Sequence, residues 1–328
     1  MISVHPPGSS GPSVPEIALA TLAEALWIDL LEPSPTEIAR VQSALGLELP
    51  TRSEMQEIEA SSRLYQESGA LFMTATMIYR AETAFPESTA ATFVLTTKNL
   101  VTIRYADPTP FRTFAVKADR NYAAFASRDK MFGGLVDEII DRIADILELV
   151  AAELDAISRT IFNIPSASGP PRDPDAPKPN YSALLERIGR SGELATKARE
   201  SLVTLTRVAA FFTETQRTAA PQELDEHWRT IRSDLISLSE HSTFLSSKVN
   251  FFLDATLGRI NIEQNTIIKI FSVAAVVFLP PTLVASIYGM NFKLMPETGW
   301  PFGYPMAILM MILSAVLPFL YFKRRGWL

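Results

Sequence analysis

Amide and hydroxyl oxygens recur at steps of three and four residues along a nearly uncharged stretch of this chain. With Asn265 as the a position of a heptad, the a and d sites fall on Asn265, Ile268, Ser272, Ala275, Leu279, Thr282, Ser286 and Gly289. Six of these eight are small or polar. Such steps place them in one stripe on a helix. The other faces carry Ile267, Ile270, Phe271, Val273, Val276, Phe278, Leu283 and Ile287, which suit lipid or a second helix. In a membrane, a stripe of small and hydroxyl-bearing residues has two uses. It lets helices pack closely, or it lines a wet path with oxygens. The residues alone leave both open.

Other chemistries find little support. The chain has no cysteine, which removes disulfides, thiolate metal sites and thiol catalysis. Its three histidines, His5, His227 and His241, lack metal-ligand spacing. No phosphate loop or nucleophile–base set is present, so an enzyme is not expected, nor an organic cofactor. A formal charge of −6 without a long basic run argues against nucleic acid as a partner.

The elements that must position the stripe are two apolar helices. Between Lys269 and Lys293 lie 23 residues without a charge. At about 1.5 Å of rise per residue, that run crosses a hydrocarbon core of roughly 30 Å. A second uncharged run lies between Glu297 and Lys323 and ends in Lys323, Arg324 and Arg325. Such a basic cluster stays on the cytoplasmic side. Two spans then put both termini in the cytoplasm, and no signal segment opens the chain. Tyr288, Trp300, Tyr304, Tyr321 and Trp327 sit near the span ends, where amphipathic rings prefer to lie. The expected spans are about 270–291 and 301–322, with an outer loop at 293–300 and a basic tail at 323–328.

The end of the first span carries a motif. Tyr288-Gly289-Met290-Asn291, followed by Met295-Pro296-Glu297, resembles the signature of the CorA family of magnesium channels. In that family a Gly-Met-Asn triplet closes the first of two C-terminal spans and Met-Pro-Glu follows in the outer loop. The resemblance is clear over roughly residues 240–328 and architectural before that. It implies a homopentamer in the plasma (inner) membrane, with Mg2+ both transported and regulatory. It also implies a selectivity filter at Gly289, Met290 and Asn291, with Glu297 attracting cations at the outer loop. Mg2+ dehydrates reluctantly, so a ring of Asn291 amide oxygens suits the hydrated ion; an Asn that merely caps the helix is the plainer reading. Thr282 and Asn265 match polar pore positions of the family, and Leu279 between them forms a constriction that could gate by dewetting.

Carried upstream, the same heptad frame meets Asn261, Gly258, Asp254, Phe251, Ser247 and Phe244. Asp254 matches an acidic residue at the family's pore mouth. Three departures stand out: Leu279-Pro280-Pro281 where the family usually has Met before the proline, Ser286 for a Gly, and Ile268 for a Met. The two prolines predict a kink near Leu279. The family's regulatory stalk carboxylate falls near Thr230, which cannot serve; Glu226 and Asp234, one turn either side, are the substitutes.

The remaining chain reads as an α/β cytosolic domain, mostly antiparallel sheet layered with helices, followed by a long stalk helix. Residues 1–16, rich in Pro, Gly and Ser, are expected to be disordered. The domain spans 17–128, with strands at Leu26–Leu30, Ile58–Tyr65, Ala70–Tyr79, Ala91–Thr96 and Asn99–Tyr105. Its helices fall at about 35–45, 108–118 and 121–128. A helical hairpin occupies 129–220, its first helix from Lys130 to Phe162 and its second from Tyr181 to Arg217, around a Pro-rich loop at 163–180. The acidic side of the first helix, Asp137, Glu138, Asp141 and Asp145 among others, is a solvated face or a divalent-cation site between subunits. The stalk, 221–292, runs into the first span as one helix of roughly 90 Å before its prolines.

Two spans cannot enclose a polar path alone, so several copies must gather around an axis. Three functions follow: a Mg2+ channel that also passes Co2+ or Ni2+, a zinc transporter of the related branch, or a non-transporting membrane-anchored sensor or scaffold.

Overall fold

A computed structural model describes residues 1–5, 19–83, 85–162, 179–216, 222–290, 295 and 299–325. The chain divides into two compact units, Met1–Leu253 and Asp254–Leu328.

The first unit is built on a six-stranded sheet. Its strands are β1 (Ile2–His5), β2 (Trp27–Leu31), β3 (Leu64–Glu67), β4 (Ala70–Tyr79), β5 (Glu87–Leu95) and β6 (Leu100–Arg104), in the order β1-β2-β6-β5-β4-β3. Every pairing is antiparallel except β2 with β6, which is parallel. Side chains alternate across the sheet. Ile28, Leu30, Val94, Val101 and Ile103 join one apolar cluster with Leu22 of α1 (Leu19–Glu24) and Val41 of α2 (Pro35–Leu45). On the other face Trp27 and Phe93 meet Phe114 and Phe111 of α4 (Thr109–Arg120) and Phe132 of α5 (Arg128–Phe162).

Local signals explain the elements. Ser34 and Glu37 form a reciprocal capping box at the start of α2, with Pro35 in its first turn, and Gly46 closes it at φ 66°. Thr96 and Asn99 tie the β5–β6 turn, where Thr96 N donates to Asn99 O at 3.0 Å. Gly134 lies so close to Phe125 and Phe114 that a Cβ there would meet their ring carbons at 2.5 and 2.8 Å.

Helices α6 (Tyr181–Gln216) and α7 (Gln222–Tyr288) continue the chain. The α5–α6 hairpin is part of the first unit: Phe132 packs on Phe93 of β5, and Thr76 N of β4 donates to Thr204 Oγ1 of α6 at 3.0 Å. Phe212 and Trp228 bring α6 and the start of α7 into the same aromatic cluster. Gly192 of α6 admits α7 closely, since a Cβ there would sit 3.1 Å from Val249 Cγ1. The second unit holds the rest of α7 and α8 (Gly303–Arg324).

Three expectations are corrected. The start of the supposed disordered tail is strand β1: Ile2–His5 pairs with the free edge of β2, Ile2 is buried, and the His5 ring stacks on Trp27 at 4.4 Å. Residues 6–16 lie outside the described residues. Ile58–Arg63 is not strand; the short helix α3 (Ala60–Arg63) occupies its end, and β3 starts only at Leu64. The helix expected at 121–128 is a single turn of 3-10 helix, Tyr122–Phe125. As expected of one continuous stalk, α7 runs through Pro280 and Pro281 to Tyr288. Of the Pro-rich loop, 163–178 lies outside the described residues.

Candidate functional site

The second unit is where the polar stripe lies. Among its residues Asp254, Asn261, Asn265, Ile268, Ser272, Ala275, Leu279, Thr282 and Ser286 are all exposed in the single chain, as are Gly289 and Met290. Along the same stretch Val273 is buried, and Ala274, Val277, Pro280, Pro281, Val284 and Tyr288 are half-buried. At about 100° per residue, the centres of these two sets lie roughly 180° apart on the helix. The chain therefore covers one side of α7 and leaves the stripe uncovered on the other. The second helix of this unit, α8, buries its small residues Gly303 and Ala307. Both helices are long and apolar enough to cross a membrane.

The stripe's oxygens are partly oriented by the helix itself. Thr282 Oγ1 donates to Phe278 O at 2.8 Å. Its proton is thereby spent on the backbone, and the hydroxyl turns lone pairs toward whatever lies outside. One and two residues earlier, Pro281 and Pro280 have no N–H. The carbonyls of Val277 and Val276, four residues before them, consequently lack their usual helical donors.

The span ends at the glycine of the motif. Gly289 N donates to Ala285 O at 2.9 Å and Met290 N to Ile287 O at 3.3 Å, which tightens the last turn. A Cβ on Gly289 would sit 3.0 Å from Ala285 O, so this terminus favours glycine. Asn291 and Glu297, the proposed filter oxygen and outer-loop carboxylate, lie outside the described residues.

The substitutes for the regulatory ligand belong to the first unit. Glu226 and Asp234 are both exposed on the early turns of α7, and Thr230 between them donates its hydroxyl to Glu226 O. Among the described residues no group of three or more His, Asp or Glu side chains is arranged to hold a metal. What the structure adds is a contact that the sequence did not suggest: His227 Nε2 lies 2.7 Å from Asp137 Oδ2 of α5. Burial raises the Asp137 carboxyl above its ordinary range; His227 works against that rise and the nearby charge of Asp234 adds to it. Burial, then the charges of Glu138, Asp137 and Asp145, likewise raise Asp141. Asp137, on the acidic side of α5, thus faces the start of α7 within one unit. No sequence signal could have paired His227 with a residue 90 positions earlier.

Comparison with known proteins follows the same lines. Residues 23–324 match the model of the family described as CorA-like Mg2+ transporter protein. The magnesium transport protein CorA of Yersinia pseudotuberculosis is 38% identical over 307 residues, covering 94% of this chain and 93% of that protein. The magnesium transport protein CorA of Escherichia coli K12 is 39% identical over 308 residues, again covering 94% and 93%. Among solved structures, the CorA magnesium transporter from Methanocaldococcus jannaschii superposes with a TM-score of 0.74 at 19% identity, over 97% of this chain and 95% of that one. The full-length CmaX protein superposes with a TM-score of 0.63 at 16% identity, over 92% and 88%. At these identities the two structures speak for the fold.

Proposed function

The chain belongs to the CorA-like Mg2+ transporter family, and from that premise we propose that it is a divalent-cation channel for Mg2+ uptake, open also to Co2+ or Ni2+. Several copies, five by analogy with the family, gather in the plasma (inner) membrane with both termini cytoplasmic. Their α7 helices turn the stripe from Asp254 to Ser286 toward a common axis. One observation carries this reading: the stripe is bare on the side of α7 opposite the one its own chain covers. A polar, small-residue face has no good partner in lipid, whereas identical faces around an axis can share water.

In this reading the hydrated ion meets neutral oxygens in sequence. Glu297 draws it to the outer mouth by charge. Asn291, set at the helix end by Gly289 with Met290 between them, hydrogen-bonds its waters and leaves the shell intact, as suits an ion that dehydrates reluctantly. Thr282 then presents acceptor lone pairs, because its proton is held by Phe278 O. Leu279 narrows the path with apolar surface that closes by dewetting when the helices draw together. Ser272, Asn265 and Asn261 continue the polar lining to Asp254, whose charge holds cations at the cytosolic mouth. Cytosolic Mg2+ binding near Glu226 and Asp234 favours the closed arrangement.

The test is ion flux through the purified protein in liposomes, across Mg2+, Co2+, Ni2+ and Zn2+, with Asn291→Ala beside the parent. Mg2+ flux that Asn291→Ala abolishes or makes unselective supports the channel. Zn2+ flux without Mg2+ flux transfers the chain to zinc transport. No flux of any cation, in protein that remains assembled, leaves a scaffold and overturns the proposal.

A further inference from the structure

Away from the stripe, the first unit contains an open polar cavity of about 550 Å3 that ion conduction does not use. It lies where Leu31 ends β2 and Tyr105 follows β6, the sheet's only parallel neighbours among the described strands. In open α/β sheets, the crevice beyond the carboxyl ends of parallel strands is the usual place for a ligand.

The walls are held from beneath. Arg104 is buried and donates to Asp29 through Nε and Nη2, the latter at 2.7 Å. Its Nη1 donates to Ala106 O at 3.2 Å and to Asp107, which fixes the Tyr105–Asp107 segment at the cavity rim. Two residues on the lining, Glu32 and Arg80, hold left-handed backbone at φ 44° and 54°. Side chains other than glycine, and Asn or Asp, rarely sit there without a cost to the fold. Glu32 is kept in place by its N–H, which donates to Arg104 O at 2.8 Å.

The lining sets three arginines, Arg52, Arg63 and Arg80, among the carboxylates of Glu32, Glu87, Asp107 and Glu200. Two guanidinium-on-tyrosine stacks face the cavity: Arg52 over Tyr105 at 5.0 Å and Arg80 over Tyr79 at 4.9 Å. Flat groups of this kind receive a planar ring. Arg80 is paired with Glu87 at 2.9 Å, and Asp107 is paired with Arg104 and Arg112. Neither Arg52 nor Arg63 has a carboxylate partner among the described residues. Arg63 is nevertheless pre-aimed: Nε donates to Glu57 O at 2.5 Å and Nη1 to Thr76 Oγ1 at 3.2 Å. Its remaining N–H groups are left for an anion, in the fork geometry that suits phosphate. We propose that this cavity binds a nucleoside phosphate, its base against the Arg–Tyr stacks and its phosphate on Arg63 and Arg52.

The probe is AMP, which binds Mg2+ weakly and so separates binding from removal of Mg2+. Calorimetric titration of the full-length protein with AMP, adenosine and inorganic phosphate is compared at fixed free Mg2+. AMP is expected to bind more tightly than either half. Arg63→Ala should weaken AMP by about tenfold or more while leaving adenosine unchanged. Arg52→Ala, at an exposed side chain whose loss leaves the fold intact, should weaken AMP as well. Tyr105→Leu should weaken adenosine and AMP together. No saturable AMP binding, AMP no tighter than phosphate, or equal AMP affinity in the parent, Arg52→Ala and Arg63→Ala overturns the proposal. None of these readouts requires that the channel conduct.

Discussion

Thr282 offers the sharpest test of the conduction path, because valine copies its shape and removes only the hydroxyl. The side chain is exposed in the single chain, and its hydroxyl donates to Phe278 O at 2.8 Å. Loss of that bond is nearly neutral for the helix, since the carbonyl keeps its backbone donor and valine has a similar helix propensity. The outward lone pairs are a different matter. One hydrogen bond from an ion's water to Thr282 contributes about 0.5–1.5 kcal/mol. At about 1 kcal/mol, a single contact changes occupancy roughly fivefold, and two simultaneous contacts about thirtyfold. Thr282→Val should therefore lower Mg2+ flux in liposomes by about 5- to 30-fold, with the loss concentrated in apparent affinity. Thr282→Ser, which keeps the oxygen and the backbone bond, should restore most of it. If Thr282→Val conducts within about twofold of the parent, less than one such bond is in play and Thr282 does not face the ion.

The first unit supplies further tests. Asp29→Ala leaves the buried Arg104 guanidinium without its main partner and should destabilise the unit by about 3–5 kcal/mol, read by denaturant unfolding followed through tryptophan fluorescence. Gly134→Ala forces a methyl against Phe125 and Phe114 and should cost about 1–3 kcal/mol in the same assay. Asp141 has a raised carboxyl pKa, so its stabilising contribution is fully present below the ordinary carboxylate range and lost as pH rises through the folded value. Asp141→Asn should accordingly be more stable than the parent at neutral pH, with the difference closing in acid; equal melting temperatures across that range contradict it. Neutralising Glu226 and Asp234 together should relieve inhibition of flux by internal Mg2+, and inhibition that persists unchanged removes both residues from regulation.

The legible parts of the fold were those whose signal is local. A run of 23 residues without charge and a polar stripe at heptad spacing locate the first span without tertiary information. The Ser34–Glu37 capping box marks the start of α2 as clearly in sequence as in structure. What escaped was decided at a distance. Ile2–His5 becomes strand only because β2, some 25 residues later, has a free edge. Ile58 to Arg63 leads straight into the strand residues Leu64 and Tyr65, but Arg63 donates through Nε to Glu57 O and through Nη1 to Thr76, which favours a turn of helix ahead of β3. The joining of α5 to α7 by Asp137 and His227 leaves no mark on either helix alone. At the candidate site the stripe was legible, whereas the arc of α7 covered by its own chain was not. That arc, not the stripe by itself, separates a bare face from a covered one within the protomer.

Pro280 and Pro281 bear on the same question. A proline inside a helix costs about 3 kcal/mol relative to alanine, and α7 carries two in succession without ending. In hydrocarbon each backbone carbonyl that lacks a donor costs several kcal/mol more. Val276, whose carbonyl loses its donor to Pro280, is exposed; Val277, whose carbonyl loses its donor to Pro281, is half-buried. Such a segment is stable only where water or a neighbouring helix supplies the missing protons. On the proposed reading a wet axis supplies one to Val276, a turn from Leu279 and Thr282, the proposed constriction and oxygen ring, whereas Val277 lies on the side that the chain itself covers. In that reading the helix is weakest, and so bends most readily, at the level where a small movement would decide whether the path holds water. If Leu279 is the apolar gate, as proposed, the paired prolines put the flexible point of α7 beside it, and the departure from the family's usual Met-Pro would change how readily that gate opens.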